Sequence, residues 1–341
     1  MNKVSVVILN WNGLNYLKQF LPGIIKYSGL EGAEVIVADN GSTDSSAKYI
    51  EINFPVVKVI KLVNNYGFAG GYNRALRNIN SKYYVLLNSD VEVTENWLQP
   101  ITEFMDANPN VGASMPKMHG YGARGNFEYA GAAGGFVDKY GYPFCRGRIF
   151  NTIEKDSGQY EEICDIFWAS GACMFVRAEA FWKAGGLDEK FFAHMEEIDL
   201  CWRLKWHGYE IKCLPEVVVY HIGGGSLPKE NPRKTFLNFR NNLFMLYKNL
   251  PSNLLYKVFI FRIFLDLVAI LHFIVNFRLI HSLAIIRAHA NFYRNLSYLR
   301  TYRKSVAFLT QSDRPIPTLV NKNVAFEYFI KGKKTYKEII N

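Results

Sequence analysis

Short β-branched runs, each closed by a polar turn and followed by a helical stretch, recur through the first third of the chain. Residues 4–9 read Val-Ser-Val-Val-Ile-Leu and predict a buried strand, followed by a helix from residue 14 to about 27. Residues 34–38 predict a second strand ending at Asp39, with Ser42 or Thr43 placed to cap a helix running to about residue 53. Residues 56–63 predict a third strand, and residues 83–87 a fourth that ends in Asn88-Ser89-Asp90. Alternation of this kind predicts an α/β fold, a mostly parallel sheet flanked by helices. Such sheets bind ligands at the carboxyl ends of their strands, and the polar clusters after strands one, two and four fall at that edge.

Farther along, residues 119–165 are rich in Gly and Tyr and predict loops and short strands over that edge. A strand at 172–177, a short helix at 178–184 and a helix at 197–207 ended by Gly208 follow, then extended segments at 210–214 and 216–220. These lead to His221 and the glycine-rich tail Gly223-Gly224-Gly225-Ser226. From about 254 to 299 the chain turns strongly apolar, punctuated by basic residues. Within 258–277, Arg262, Asp266, His272 and Asn276 share one narrow helical stripe. Two charges in its first half argue against a clean membrane span. Interfacial attachment is the favoured reading, with packing against the chain's own domain or a sister chain, or a true span, as the alternatives. The division is therefore a catalytic domain at 1–250 and a basic, amphipathic helical tail at 251–341.

Charge sharpens that division. The formal net charge is +10, yet residues 1–225 hold 21 Lys/Arg and 25 Asp/Glu, whereas residues 226–341 hold 19 and 5. An acidic first part suits a cation-assisted site, and a basic, aromatic remainder suits an anionic membrane surface. The basic residues alternate with apolar runs, which argues for lipid and against nucleic acid. Five cysteines lack any metal-type spacing and predict reduced thiols in the cytoplasm, at the inner face of the cell membrane.

Three acidic stations carry the candidate chemistry. Asp39 and Asp44 bracket Asn40-Gly41-Ser42-Thr43, a segment that serves a nucleoside or else an ordinary Asx turn. Asp90 follows a buried strand, where a hard cation such as Mg²⁺ or Mn²⁺ takes carboxylates and substrate phosphates. Glu196, Glu197 and Asp199 crowd the start of a helix, so mutual repulsion predicts one raised pKa, suited to a general base. The turn Asn65-Tyr66-Gly67-Phe68-Ala69-Gly70-Gly71-Tyr72-Asn73 enters a helix whose N-terminus would favour phosphate, without matching either common phosphate fingerprint.

Taken in order, these segments resemble an inverting family 2 glycosyltransferase with the A-type nucleotide-sugar fold, of the bacterial rhamnosyltransferase-like branch. The resemblance rests on Val6-Val7-Ile8-Leu9-Asn10-Trp11-Asn12-Gly13, on 39–44, 65–73 and 86–90, on Ser170-Gly171-Ala172, Gly186-Leu187-Asp188-Glu189 and 196–201, and on His221. It covers roughly residues 3–250. It implies that Asp39 contacts the base, that Asn10 and Trp11 line the nucleotide pocket with Asp44, Asn88 and Ser89 close by, and that Gly71 and Asn73 lie along the nucleotide. It further implies that Asp90 holds a divalent cation with His221 nearby, and that Glu197 is the general base, Glu196 being the other candidate. Asp199 would partner Arg203 on the same helix, and Trp168 with residues 119–150 would contact the acceptor. Asn88 departs from the family in standing where it usually has an acid. The implied reaction transfers a sugar from a nucleotide-diphosphate sugar to a saccharide acceptor, polyprenyl-linked by inference, in surface-polysaccharide synthesis. A non-catalytic nucleotide-sugar-binding or membrane scaffold is the alternative.

Overall fold

In the computed structural model, which describes residues 2–223, 230–306 and 318–341, strands and helices alternate from the start. They run β1 (Asn2–Asn10), α1 (Leu14–Tyr27), β2 (Ala33–Asp39), α2 (Ser46–Asn53), β3 (Lys58–Lys61), α3 (Gly67–Leu76) and β4 (Ser81–Asn88). β1 pairs in parallel with β2 and β4, and β2 with β3, so Asn10, Asp39 and Asn88 end at one edge. Burial on both faces explains the unbroken apolar runs: Val4, Val6, Val7, Ile8, Val85 and Leu86 are all fully enclosed. Helix α2 starts after Ser45 and not after Ser42 or Thr43, because those two residues bond to the turn after β1. The third strand is trimmed to four residues at the sheet margin.

The other half reverses direction. After β5 (Val91–Val93) and α4 (Gln99–Ala107) come β6 (Val111–Gly120) and β7 (Ala123–Phe127). A second sheet begins with β8 (Gly135–Asp138), β9 (Pro143–Cys145), β10 (Arg148–Ile149) and β11 (Thr152–Ile153). The chain returns through β12 (Cys164–Asp165), β13 (Cys173–Arg177), α5 (Ala178–Lys183), α6 (Glu196–Trp206) and β14 (Glu210–His221). The main sheet runs β12-β14-β6-β13-β4-β1-β2-β3. β13 is antiparallel to both β4 and β6, while β14 is parallel to β6. The two extended segments expected at 210–220 are one strand, with a register shift between Leu214 and Val218 around Pro215. β6 lies inside the sheet with nine of its ten residues buried.

The C-terminal stretch from Pro232 onward divides into parts that dock separately. α7 (Pro232–Asn249), α8 (Ser252–Val275), α9 (Leu279–Arg294) and α10 (Leu296–Ser305) form a helical group. β15 (Leu319–Val320), α11 (Val324–Phe329) and α12 (Tyr336–Ile340) come back to the second sheet, with β15 pairing in parallel with β8. Tyr336 packs against Phe136, Phe144 and Tyr160 there, so this part of the expected tail completes the body of the molecule. Residues 224–226 of the glycine tail lie outside the described residues.

Candidate functional site

Strand pairing brings together residues far apart in sequence. β14 pairs with β5, setting His221 opposite Val91 and thus beside Asp90. The His221 Nε2 atom lies 3.2 Å from Asp90 Oδ1, and its Nδ1 3.3 Å from Glu128 Oε1. All three side chains are buried. Burial alone would discharge the imidazole, but the two flanking carboxylates outweigh it and raise His221 to about 10. Burial raises Asp90 as well, yet the His221 hydrogen bond and charge bring it below the usual carboxylate range. Asn88 Nδ2 stands 3.4 Å from His221 Nε2. Among the described residues no group of three acidic, His or Cys side chains forms a self-sufficient metal cage. The Asp90 carboxylate fits a hard cation that takes its other ligands from substrate phosphate and water, and His221, held as an imidazolium by its two carboxylates, would join that shell only by giving up a proton. Glu128 carries no sequence signal; only the folding of its loop under β14 reveals it.

At the ends of β1 and β2, the polar residues mostly hold one another. Asn10 Nδ2 donates to Asp39 Oδ1 (3.2 Å), Ser42 Oγ (3.2 Å) and Ser46 Oγ (2.9 Å). Burial pushes the Asp44 pKa up, but the Ser46 hydroxyl and then the Leu14 and Ser46 amides, all donating to its carboxylate, bring it below the usual value. Asp44 thereby ties the start of α1 to that of α2. Asn12, at φ 52°, accepts from the Thr43 and Asp44 amides. Trp11 projects outward, 48% exposed, and Asn88 and Ser89 are half-buried at the same edge.

The glycine-rich turn works differently from its sequence reading. Gly67 sits at φ 71°, and a Cβ there would fall 2.4 Å from the Phe192 carbonyl oxygen. That carbonyl accepts from the amides of Phe68 (2.6 Å) and Ala69 (3.3 Å), so the N-terminus expected to favour phosphate is already capped. A Cβ on Gly71 would meet Leu9 Cδ1 at 2.8 Å, which makes Gly71 the contact that lets α3 lie on β1. Asn73 donates to the Leu187 carbonyl (2.7 Å) and accepts from the Leu187 amide (3.0 Å), clamping the turn before Asp188.

The three acids of α6 diverge. Asp199 is fully buried and saturated by Arg203 (2.9 Å), Lys248 (2.9 Å) and Asn249 (2.8 Å), which takes it off the open edge and out of the catalytic set expected from sequence. Glu196 is buried, and desolvation, reinforced by the Glu197 charge, raises its pKa well above the usual range. Glu197 is partly open, and burial pushes it to about 7 against the pull of nearby backbone amides. It also lies near the edge: Gly171, whose Cβ position is 3.7 Å from Glu197 Cβ, precedes Ala172, whose carbonyl accepts from the Asn88 amide at 3.0 Å, and the Glu197 Oε2 atom is enclosed without a hydrogen-bond partner.

The loop that delivers Glu197 is strained and braced. Phe192, His194 and Met195 all have positive φ, at 66°, 71° and 72°. The buried Asn241 of α7 donates its amide to the carbonyls of Phe191 (3.0 Å), Ala193 (2.9 Å) and His194 (2.7 Å). Arg240 donates to the Lys190 and Phe191 carbonyls and, through Nε, to Asn241 Oδ1 at 2.8 Å, fixing which way the amide points. Lys248, fully buried, bridges Asp188 (2.6 Å) and Asp199. Three such polar residues on one mostly buried helix were the available sequence signal. Trp168 is not an acceptor platform: it is 3% exposed, donates to the Phe136 carbonyl (3.0 Å) and packs on Gly135. Its ring joins the second sheet to the first.

Comparison with known proteins identifies the family and the fold. The model of glycosyl transferase family 2 matches residues 5–185. The N-acetylglucosaminyl-diphospho-decaprenol L-rhamnosyltransferase of Mycobacterium tuberculosis is 24% identical over 236 residues, covering 64% of this chain and 75% of that protein. Rhamnosyltransferase WbbL of Escherichia coli is 24% identical over 225 residues, covering 64% and 83%. The mannosyltransferase PcManGT from Pyrobaculum calidifontis, in complex with GDP-Man and Mn²⁺, superposes with a TM-score of 0.53 at 13% identity, over 97% of this chain and 88% of that one. GalNAc-T7 with UDP, GalNAc and Mn²⁺ gives a TM-score of 0.54 at 16% identity, over 72% of this chain and about half (48%) of its own length.

Proposed function

The chain belongs to glycosyl transferase family 2, and from that premise we propose that it moves a sugar from a nucleoside-diphosphate donor to a hydroxyl of a lipid-carried saccharide, with inversion. Glycosyl transfer in polysaccharide synthesis is the activity its family and relatives share. One observation carries the finer reading. Among the three acids of α6, Glu197 alone is partly exposed, its Cβ beside Gly171 near the edge that holds Asn88, Ser89 and Asp90, with an unpartnered carboxyl oxygen and a pKa raised to about 7. In the proposed step the acceptor hydroxyl gives its proton to Glu197 while its oxygen forms a bond to the anomeric carbon. The bond from that carbon to the diphosphate breaks on the opposite face, and the nucleoside diphosphate departs. Asp39, with Trp11 and Ser89 nearby, is assigned to the donor. Asp90 would hold Mg²⁺ or Mn²⁺ with His221 beside it, and that cation supplies positive charge for the leaving diphosphate. The acceptor class is supported by the polyprenyl-linked substrate in the mycobacterial relative's name and by the basic C-terminal part. Five free cysteines agree with a cytoplasmic location at the membrane.

The test is nucleotide release across UDP-, dTDP- and GDP-sugars, with Mn²⁺ or Mg²⁺ and with EDTA. Metal-dependent release from one donor, lost in Glu197→Gln and Asp90→Ala, supports the assignment. Release that survives Glu197→Gln unchanged removes the base from this residue.

A further inference from the structure

The outward surface of α8 and α9 carries a long apolar face. On α8, Tyr256, Ile260, Phe264, Leu267, Leu271 and Val275 recur at helical spacing and are 51–76% exposed. The turn adds Phe277 at 92%, and α9 continues the face with Ile280, Leu283 and Ile286. Of the polar stripe in the sequence, the charged half, Arg262 and Asp266, has turned inward, whereas His272 and Asn276 stay exposed near the turn. Arg262 Nε bonds Asp266 Oδ1 (2.9 Å), His289 Nε2 bonds Asp266 Oδ2 (2.9 Å), and the Arg262 guanidinium lies 4.0 Å from the Tyr142 ring centroid. Contiguous apolar faces of this kind mark a partner surface.

We propose that the α8–α9 hairpin lies flat within one leaflet of an anionic bilayer, its apolar face down, without crossing. α8 is long and apolar enough to span by length and composition. Its partner forbids it: α9 folds back, Ser282 bonds the Ile270 carbonyl (3.1 Å), and Phe292 packs on Phe244 and Tyr247 of α7. A span would draw the Arg262–Asp266 pair into hydrocarbon, away from Tyr142. Charge selects lipid over a second copy. Between Glu230 and Asp313 the single acid is Asp266, which is buried, while Lys257, Arg287, Arg294 and Arg300 are exposed. Glu230 is engaged by Arg278 at the turn, and a rim that is basic on balance repels its own copy and attracts an anionic leaflet. Because α7 carries both the α9 contact and the Asn241 brace, the hairpin and the Glu197 loop share a helix, which suits an acceptor held by its lipid. The proposal deepens the membrane location given above, and its test reads no sugar transfer.

Full-length protein is mixed with vesicles of phosphatidylcholine containing phosphatidylglycerol and floated on a density gradient. The parent floats. Leu267→Glu/Leu271→Glu loses at least tenfold in bound fraction, whereas Val63→Glu, at an apolar residue 86% exposed beside β3, floats like the parent. Circular dichroism melts confirm that the double variant is folded. Phe264→Trp and Leu271→Trp, read with lipids brominated along the acyl chain, quench at the same depth. Failure of the parent to float, equal flotation of the double variant, or two different depths would each overturn the proposal. So would a parent dimer that the double variant converts to monomer without change in flotation.

Discussion

Replacing Asn241 with Ala tests whether the strained loop aims the base. The amide has two hydrogens, shared among the carbonyls of Phe191, Ala193 and His194, in a site closed to solvent. Two hydrogen bonds at about 1 kcal/mol each give a loss of about 2 kcal/mol in unfolding free energy. The three positive-φ residues the amide restrains, Phe192, His194 and Met195, store roughly 1 kcal/mol each. Brace and strain are therefore of one size, and without the amide the loop relaxes toward ordinary dihedrals. Met195 immediately precedes α6, so that relaxation tilts the turn that bears Glu197. A displacement near 1 Å at a reacting group lowers the rate about 100-fold. The assay is steady-state nucleotide release with acceptor at pH 8, alongside urea unfolding. The expected result is kcat down about 100-fold with the donor KM within about threefold, since the donor strands are untouched. A kcat within twofold of the parent, beside a clear loss of stability, would refute the idea that the brace positions the base.

Four more outcomes follow from the geometry. Glu197, raised to about 7, acts as base only when ionised, so the rate climbs with pH and levels off above about 7. The same raised value means the folded state holds the proton more tightly than the unfolded chain. Ionisation therefore erodes stability as pH rises from the ordinary glutamate range through 7, and Glu197→Gln melts higher than the parent at pH 8 and no higher at pH 4. Trp168→Phe removes the bond to the Phe136 carbonyl without emptying the site; a lower melting temperature with an unchanged acceptor KM separates this structural role from sugar stacking. Lys248→Met leaves Asp188 and Asp199 without their shared cation and lowers stability by about 3–5 kcal/mol in denaturant unfolding.

The parallel half of the sheet is readable because strands enclosed on both faces leave unbroken apolar runs, as at 4–9 and 83–87. β6 is not, since Pro116 and the surrounding Ser, Lys and His residues hide a strand nine-tenths buried. The position of each acid along the chain is legible, but its environment is not. Asp199 and Glu197 look alike in sequence, and only docking of α7 gives one of them Lys248 and Asn249 while leaving the other open. Long-range partners escape for the same reason: Glu128 reaches His221, and Asn241 reaches the 191–194 carbonyls, across separations no local pattern records. The stripe on α8 was visible as a stripe, yet its facing depended on Tyr142, more than a hundred residues away.

The pairing of β15 with β8 also bears on the order in which the molecule can be completed during synthesis. Leu319 lies beside Val137 and Val320 beside Asp138, and Asp138 accepts the Val324 amide at 3.0 Å. Until those residues emerge, β8 presents a bare edge and the rings of Phe136 and Phe144 lack Tyr336 to cover them. At bacterial-type elongation of about 5–20 residues per second, that interval is roughly 10–40 s. A nascent chain therefore passes most of its synthesis with an aromatic strand edge open to strand addition by neighbours. Shortening the chain before residue 319 makes that exposure permanent, and the outcome is aggregation during expression, well before any effect on catalysis could be measured.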